Sequence, residues 1–348
     1  KFFKVHDVSN EKILLNKKEV DDDSQKEFDD DPTTVYMEVN SGNPFYNNIL
    51  KDKVKRKKII VGIVIISVIY LILSYFGINY TMSKIHTNLK VDKVRKRPVN
   101  LEKKEAFSIL LLGVDTGAIG RKGGGRADSI IIVTVNPKEN KTTMISVPRD
   151  TYTKIARKNK TTKINEAYSY GGAATVINTI QKKFGIPIDF YAEVNMKGLQ
   201  DVVDALGGVT VKSPLKFSNY GYSFRKGRNS LNGKEALAYA TMRYEDPTGD
   251  YGRQGRQRQI IDALIDKVVS FRVITNQMGL LKSVEKNIKT SLTFEDIVTI
   301  QTKYNLALRN IEQIQIKGDG QMIGGVSYQV ISKSEIGRIS EILKKELH

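Results

Sequence analysis

Cysteine and tryptophan are absent from this 348-residue sequence, and histidine occurs only at His6, His86 and His348. The lack of cysteine excludes a disulfide framework and any thiolate metal site, and it is compatible with an exported bacterial domain that folds without oxidation. The histidines lie near the two ends of the chain and beside an apolar segment. A Ser-His-Asp triad, a histidine zinc site and a histidine general base are therefore excluded from the body of the chain.

A Walker A phosphate loop is missing as well, because Gly233-Lys234 is followed by Glu235 where serine or threonine is required. Any catalysis must then rest on carboxylates, arginines and backbone donors, with or without a hard metal ion. These groups are the ones that phosphoryl transfer uses, since positioning and charge neutralisation supply most of its rate acceleration.

One segment has no charged residue at all, from Ile59 to Ile78. Twenty residues at the helical rise span ~30 Å, the thickness of the hydrocarbon core of a bilayer. The segment predicts one transmembrane helix, in preference to a buried core helix or a cleaved signal peptide. The basic residues just before it are Lys51, Lys53, Lys55, Arg56, Lys57 and Lys58. They lie nearer the apolar edge than those after it, so the positive-inside rule predicts a cytoplasmic N-terminus.

The charge distribution predicts the domain organisation. Residues 1–58 hold 12 basic and 12 acidic side chains and predict a disordered cytoplasmic tail, so the whole net charge of +18 follows the apolar segment. Residues 79–104 are predicted to be an extracytoplasmic linker and residues 105–348 a folded extracytoplasmic domain. A basic domain indicates an anionic partner such as lipid, phosphorylated polymer or wall material, and outside the membrane nucleic acid is the least expected.

Strand and helix signals alternate along the domain. Continuous apolar runs at 107–114, 129–135 and 142–147 are typical of strands covered on both faces. Helices are predicted at 173–184, at 199–206 before Gly207-Gly208, at 234–243 and at 256–272, and capping boxes at Thr293 and Ser332 open two later ones. This alternation predicts an α/β fold, a three-layer α/β/α sandwich around a mostly parallel or mixed sheet.

The first candidate cluster is Gly113 to Ser129, where a glycine-rich loop joins two predicted strands. Asp115 ends one strand and Asp128 precedes the next, so the fold can bring both carboxylates together as Mg²⁺ ligands. The basic side chains available for phosphate are Arg121, Lys122 and Arg126, and Gly123, Gly124 and Gly125 permit close backbone approach. The alternative is an exposed basic turn whose aspartates only cap or form salt bridges.

The second cluster runs from Met242 to Gln259, with Ser146 to Asp150 as its expected companion. If a helix begins near Gly252, Arg253 and Gln257 share one face, and the free N–H groups of the first turn favour an anion. Arginine suits this task because its planar fork binds phosphate through two donors. The alternative is a solvated, charged helix start.

In these segments the sequence resembles the LytR–CpsA–Psr family of bacterial cell-wall proteins, in particular its LytR branch. The resemblance covers about residues 107–269. It is carried by the ordered segments LLGVDTG, GRADS, SVPRDTY, KINEAYSYGG, DALGGV and ALAYATMRYEDPTGDYGRQGRQRQ. It implies a phosphotransferase at the Gram-positive cell surface, anchored in the cell membrane. The enzyme would move teichoic acid, capsular or another secondary polysaccharide from a polyprenyl-diphosphate carrier to peptidoglycan, in an α/β/α fold with an apolar tunnel for the lipid.

The resemblance also implies roles for individual residues. Asp115 and Asp128 match the ligands of Mg²⁺, for which Mn²⁺ is the alternative. The positions that match diphosphate-binding residues are Arg126, Arg149, Arg243, Arg253 and Gln257. Asp150 and Asp250 occupy motif positions with less settled roles. Asp128, Arg149, Asp150 and Arg253 are the candidate catalytic residues, and with histidine excluded either Asp128 or Asp150 is the expected general base.

One departure from the family pattern is the segment Thr241-Met242-Arg243, because the family often has Arg-x-Arg there. Arg256, Arg225 or Lys226 are candidates to replace the missing guanidinium. Two other classes of function stay open at this point. A transcriptional regulator or attenuator predicts a nucleic-acid-binding element, and no helix-turn-helix pattern is recognisable. A non-catalytic polyprenyl-phosphate binding module predicts binding without Mg²⁺-dependent turnover.

Overall fold

The computed structural model of this chain describes residues 53–116, 125–269 and 286–348. The chain divides by its contacts into two units, Lys1–Val64 and Ile65–His348. The described parts leave out residues 1–52 of the predicted tail and residues 270–272 of the helix predicted at 256–272. Of the single residues named above, they leave out His6, Lys51, Arg121, Lys122, Gly123 and Gly124.

The predicted apolar segment falls within helix α1, Lys53–Ile85. Apolar side chains near its start are exposed, among them Ile59, Ile63 and Ile66. Among the described residues, no helix combines the length and apolar character that a membrane crossing requires. The transmembrane span therefore stays a prediction.

The centre of the second unit is a mixed sheet. Its strands are β1 (Phe107–Val114), β2 (Ala127–Asn136), β3 (Lys141–Ser146), β6 (Phe190–Asn195), β11 (Ile288–Thr290) and β12 (Ile311–Gln315). They are ordered β11-β6-β1-β2-β3-β12. The pairs β1–β6 and β3–β12 are parallel, and β1–β2, β2–β3 and β6–β11 are antiparallel. The predicted mixed sheet is thus confirmed.

Both faces of the sheet are covered by helices, because its strands are apolar on both sides. Ile130 and Ile132 of β2 belong to the core that also contains residues of α2 (Ala167–Phe184) and α8 (Lys333–Leu347). Ile131 and Val133 point to the opposite core, with residues of α5 (Asp250–Val269) and α7 (Asn305–Arg309). This period of two gives the three layers that the sequence predicts.

A third apolar core lies beside α5 and includes its residue Ile260. Its elements are α3 (Met196–Ala205), β7 (Val209–Ser213), β8 (Phe217–Asn219), β9 (Tyr222–Phe224), β10 (Gly227–Leu231) and α4 (Gly233–Thr241). The remaining elements are β4 (Tyr152–Lys154), β5 (Thr161–Lys163), α6 (Phe294–Lys303), β13 (Asp319–Ile323) and β14 (Val326–Val330). Helix α5 therefore packs between this third core and the central sheet.

The predicted helix boundaries are largely correct. Gly207 and Gly208 adopt positive φ after α3, as the predicted helix stop requires. The capping box at Thr293 is present. At Ser332 only half of the box forms, because the Glu335 carboxylate instead accepts from the backbone of Lys317 and from Arg338. Helix α5 begins at Asp250, earlier than the predicted residue 256.

Candidate functional site

A β-bulge sets the direction of the Asp128 side chain. In the antiparallel pair β1–β2, Gly113 faces Ser129 but Val114 faces Ala127, so Asp128 is an extra residue without a partner. Bulges interrupt the alternation of side chains and can redirect one toward a site. Strand β2 begins two residues earlier than predicted, so Asp128 lies within the strand rather than before it. Its carboxylate accepts a hydrogen bond from Arg149 at 3.0 Å.

Asp115 directly follows β1, at the edge of the sheet where β2 begins. Its buried carboxylate accepts the backbone N–H of Arg126, and its own N–H donates to the Arg126 carbonyl. A Cβ atom at Gly125 would lie 2.5 Å from Thr116 Cγ2 and 3.0 Å from Asp115 Oδ1, so this close approach requires glycine. Asp115 and Asp128 therefore lie at one end of neighbouring strands, as predicted, and the Arg126 side chain is exposed.

The guanidinium of Arg149 lies within ion-pair distance of three aspartate side chains. Its Nη1 is 3.0 Å from Asp128 Oδ1, and its Nε is 3.8 Å from Asp150 Oδ2 and 3.9 Å from Asp250 Oδ1. The Nε atom is nevertheless buried without a hydrogen-bond partner among the residues that the structure describes. An unsatisfied buried donor of this kind stabilises a bound anion, because the desolvation cost of its N–H is already present before binding.

The first turn of α5 supplies the second guanidinium. Arg253 Nη2 lies 2.7 Å from Asp250 Oδ1 and 3.5 Å from the carbonyl oxygen of Asp128. Among the described residues, its Nε is also buried without a hydrogen-bond partner. The positive end of the α5 dipole lies at this position, where the Tyr251 N–H already donates to the Thr248 carbonyl. We refer to Asp128, Arg149, Asp150, Asp250 and Arg253 as the arginine–aspartate cluster.

The two arginines of the cluster differ in their electrostatic balance. Burial acts to lower the pKa of Arg149, but the surrounding carboxylates, Asp128 first, outweigh it and raise the pKa. Burial lowers the pKa of Arg253 and, together with repulsion from Arg149 and Arg243, outweighs the opposing effects of Asp250 and Asp128. Arg253 thus lacks full compensation of its charge. A bound anion would supply the missing negative charge.

Two further polar residues belong to the site and had no role in the sequence analysis. Asn165 Nδ2 lies 3.5 Å from Asp128 Oδ1, and its own Oδ1 is buried without a hydrogen-bond partner. Lys163 Nζ forms a 2.8 Å ion pair with Asp150. Both residues lie in the segment KINEAYSYGG, which carried the family resemblance. The only available signal was that resemblance, because a lone lysine and asparagine indicate no function by type.

Arg256 has different partners from those suggested by the sequence. Its guanidinium, 1% exposed, pairs with Asp246, donates to the Met242 carbonyl and lies 5.3 Å above the Phe217 ring. A Cβ atom at Gly252 would collide with the Asp246 carboxylate, so glycine at that position makes room for the pair. In the described part of the chain, the polar contacts of Arg256 thus go to the third core rather than to the arginine–aspartate cluster.

The other proposed diphosphate contacts are less enclosed. Arg243 is exposed and influences Arg253 electrostatically, while Gln257 is half-buried one turn after Arg253. Thr241, at the position where the family often has arginine, donates its hydroxyl to the Leu237 carbonyl at 2.7 Å. Arg225 and Lys226, the suggested replacements, are exposed after β9.

Two open cavities lie away from this cluster. One of ≈390 Å³ is bordered by Lys216, Arg225 and Glu235, and one of ≈470 Å³ by Asp204 and Lys267. Neither is lined by a residue of the arginine–aspartate cluster. The apolar tunnel implied by the resemblance therefore stays a prediction.

The family model described as the LytR_cpsA_psr family matches residues 72–345. The chain belongs to this family. A 43% identical relative from Enterococcus faecalis, named polyisoprenyl-teichoic acid–peptidoglycan teichoic acid transferase TagU, aligns over 79% of this chain and 90% of its own length. The protein of the same name from Bacillus subtilis is 43% identical over 85% of this chain and 98% of its own.

Solved structures of the family have the same fold. The crystal structure of B. subtilis TagU superposes with a TM-score of 0.58 at 44% identity, covering 70% of this chain and 98% of that one. The structure of TagT bound to LIIa-WTA superposes with a TM-score of 0.63 at 28% identity, covering 75% and 99%. An E. faecalis structure described as a transcriptional regulator gives a TM-score of 0.65 at 41% identity, covering 72% and 90%.

Proposed function

We propose that this protein is a phosphotransferase that moves an anionic glycopolymer from a polyprenyl-diphosphate carrier to peptidoglycan. Teichoic acid is the foremost candidate polymer, because the relatives at 43% identity carry the name of teichoic acid transferases. A capsular or other secondary wall polysaccharide is the alternative cargo. The choice of polymer, and of a sugar hydroxyl on peptidoglycan as the acceptor, is the one that the family resemblance implies.

The observation that carries this proposal is the pair of buried guanidinium groups in the arginine–aspartate cluster. Within the described parts of the chain, Arg149 and Arg253 each keep an Nε–H without a hydrogen-bond partner. A diphosphate offers several anionic oxygens to such donors, and hydrogen bonds between charged groups are roughly twice as strong as neutral ones. The positive end of the α5 dipole favours the same ligand.

The proposed chemistry is an in-line displacement at the phosphorus nearest the polymer. A wall-sugar hydroxyl forms the new P–O bond while the bond from that phosphorus to the bridging oxygen breaks. Polyprenyl phosphate leaves with the bridging oxygen and its electron pair. Arg149 and Arg253 neutralise the charge that develops on the bridging and non-bridging oxygens, and such positioned donors are worth most where water is excluded.

The proton of the attacking hydroxyl passes to a carboxylate, because the described site contains no histidine. Asp128 and Asp150 are the two candidates. Asp128 faces Arg149 and Asn165, and Asp150 faces Lys163 at 2.8 Å. A carboxylate oxygen at either position can accept the proton during the reaction, and the neighbouring cation fixes its position.

The residues at the ends of β1 and β2 suit a Mg²⁺ ion. Asp115 and Asp128 offer oxygen donors, the ligand type that Mg²⁺ prefers, and substrate oxygens and water can complete its coordination. The described residues contain no group of three or more histidine, cysteine or acidic side chains that could hold a metal alone. We therefore propose a site completed by the substrate. When bound, Mg²⁺ would supply further neutralisation of phosphate charge.

Transfer is expected to require Mg²⁺ or Mn²⁺, and Asp115→Asn is expected to raise the concentration needed for half-maximal rate by at least about tenfold. The amide keeps an oxygen that can accept the Arg126 N–H, so the strand end is preserved. The measurement is a Mg²⁺ titration of transfer after EDTA treatment. Asp92→Asn is the control, since Asp92 is an exposed aspartate paired with Arg157. A wild-type titration curve for Asp115→Asn would argue against the site.

The function itself is tested by transfer in a defined system. Purified protein, a polyprenyl-diphosphate-linked teichoic acid precursor and peptidoglycan are expected to give polymer-bound peptidoglycan and polyprenyl phosphate in equal amounts. The products are measured by mass spectrometry of the digested wall and of the extracted lipid. Tight binding of the lipid without product would instead identify a non-catalytic carrier module.

We also propose that the segment at residues 59–78 anchors the protein in the membrane, with the tail in the cytoplasm and the C-terminal unit, residues 79–348, outside. The uncharged apolar sequence and the basic residues just before it support this orientation. Protease added to intact cells is expected to digest the C-terminal unit and to spare an N-terminal tag. Digestion only after cell lysis would contradict the orientation and would favour a cytoplasmic role.

A further inference from the structure

A third buried arginine of α5, Arg258, has no acidic partner in the described part of the chain. Arg258 is 7% exposed, and in the described residues no carboxylate lies within ion-pair distance of it. Its Nη1 donates to Ser146 Oγ at 2.6 Å and to Gln315 Oε1 at 3.1 Å, and its Nε donates to Gln313 Oε1 at 3.2 Å. Burial lowers the pKa of this guanidinium to about 10, which leaves it charged at neutral pH. A buried charge held only by neutral groups is costly, so its retention calls for a reason.

Hydrogen bonds connect this arginine to the arginine–aspartate cluster. Gln315 Nε2 donates to Gln254 Oε1 at 2.9 Å, and Gln254 Nε2 donates to Asp250 Oδ2 at 2.9 Å. Asp250, Gln254 and Arg258 are spaced four residues apart on α5, so they lie along one face of the helix. Gln315 comes from the end of β12 and joins Gln254 to Arg258.

The groups at the two ends of this series of hydrogen bonds, Arg258 and Asp250, determine the orientation of both glutamine amides. A guanidinium can only donate hydrogen bonds, and an ionised carboxylate can only accept them. Each glutamine must therefore turn its oxygen toward Arg258 and its nitrogen toward Asp250. Because all the dipoles then point the same way, each hydrogen bond polarises and strengthens the next.

The other oxygen of Asp250 faces the proposed catalytic arginines. Asp250 Oδ1 lies 2.7 Å from Arg253 Nη2 and 3.9 Å from Arg149 Nε. The carboxylate is thus held by Gln254 through one oxygen and contacts the two guanidinium groups through the other. A direct ion pair between Arg258 and Asp250 would compete with these contacts, whereas an amide chain leaves Oδ1 available.

We propose that Arg258, Gln315 and Gln254 form a polar relay whose purpose is to orient Asp250 and, through it, Arg253 and Arg149. These three are positioning residues and do not touch the substrate. The catalytic meaning of the relay rests on the function proposed above. The orientation of Arg253 and Arg149 does not depend on that function, because it can be measured in the ligand-free protein.

The relay is tested by Gln315→Glu, a substitution of nearly the same shape. The new carboxylate accepts from Arg258 but cannot donate to Gln254. Gln254 must then turn its side-chain nitrogen toward the carboxylate at position 315 and its side-chain oxygen toward Asp250. The Gln254 oxygen and the Asp250 carboxylate then repel each other. We expect the thermal midpoint to be unchanged or higher, because Arg258 gains an ion pair. The turnover number is expected to fall about 10- to 100-fold, the usual effect of removing a supporting hydrogen bond from a site.

Gln313→Glu is the matched control. It adds the same charge beside the same guanidinium, on the Nε side, and leaves the amide chain intact. Its turnover number is expected to stay within about twofold of wild type, since supporting contacts outside the chain are unchanged. Equal losses in both variants would overturn the relay, because the effect would then come from pairing Arg258. An unchanged turnover number in Gln315→Glu would overturn it as well.

A readout without turnover separates this inference from the proposed function. The ¹H–¹⁵N signals of the Nε groups of Arg149 and Arg253 are expected to shift in Gln315→Glu and to stay in place in Gln313→Glu. Signals that do not respond would overturn the relay even in an active enzyme. If the wild-type protein transfers no polymer, the proposed function fails while these spectra still decide the relay. If Gln315→Glu does not fold, Gln254→Met breaks the same chain one step nearer Asp250 and is judged by the same two readouts.

Discussion

Replacing Arg149 with alanine is expected to lower the rate of polymer transfer about 10²–10³-fold, the cost of removing one positioned donor from a developing anion. Arg149 contacts Asp128 and approaches Asp150 and Asp250, and it still has an unsatisfied Nε–H. The substitution removes that donor and leaves three carboxylates facing the diphosphate. The measurement is the single-turnover rate with a lipid-linked precursor at saturating Mg²⁺.

Two companion variants make this result specific. Arg149→Lys keeps the positive charge but loses the planar fork, so we expect it to recover only part of the rate. Arg157→Ala removes a largely exposed arginine that pairs with Asp92, and we expect wild-type transfer. Thermal midpoints measured alongside separate lost catalysis from lost folding. A folded Arg149→Ala protein with the wild-type rate would contradict the assignment of the site.

The second large effect concerns stability. Replacing Arg256 with methionine is expected to reduce the free energy of unfolding by about 3–5 kcal/mol, the usual cost of breaking a buried ion pair from one side. Arg256 and Asp246 are both buried, and methionine fills much of the space under the Phe217 ring while removing the charge. Asp246 would then be a buried carboxylate without its cation. Urea unfolding of wild type and variant measures the difference.

The pH dependence of this loss identifies its cause. Burial acts to raise the pKa of Asp246, but hydrogen bonds from Thr248 and Arg256 outweigh it and hold the pKa below its usual range. In wild type, the stabilisation is therefore present above the ordinary carboxyl pKa and is lost as the pH falls through the lowered one. Without Arg256, its hydrogen bond and its charge no longer lower the pKa of Asp246, so that pKa rises. We expect the stability deficit of the variant to be largest at neutral pH and to shrink on acidification.

A double variant separates charge from packing. Asp246→Asn keeps an oxygen that can accept the Thr248 backbone N–H, and it removes the unpaired charge. Combined with Arg256→Met, it is expected to recover a large part of the lost stability, because the two residues are in contact and their effects are not additive. If the double variant is no more stable than Arg256→Met alone, the loss arises from packing rather than from the buried charge.

Local patterns in the sequence were sufficient for much of the fold. Apolar runs predicted β1, β2 and β3 within two residues, because strands buried on both faces need continuous apolar character. The helical spacing of residues 173–184 predicted most of α2, and Gly207-Gly208 predicted the end of α3. The same logic failed at the start of α5. Its first turn is polar and lies at the site, so no apolar period marks it.

The sequence also limits the residue types of the proposed site, because the shortage of histidine and cysteine leaves carboxylates and arginines for phosphoryl chemistry. The ordered motifs predicted the family, and the match to the family model confirms that prediction. By contrast, the contributions of Lys163 and Asn165 were not predictable. Their contacts to Asp150 and Asp128 depend on how the segment before α2 folds back beside β2 and β3.

Only the tertiary structure decided which arginine of the segment DYGRQGRQRQ meets which carboxylate. Arg253 joins the arginine–aspartate cluster, Arg256 pairs with Asp246 in the third core, and Arg258 faces β3 and β12. The sequence by itself determined that three arginines precede the apolar part of α5. Helix α5 packs against different neighbours on each side, and these neighbours come from distant parts of the chain. Local spacing sets the direction of each side chain around the helix, but long-range packing sets what lies in that direction.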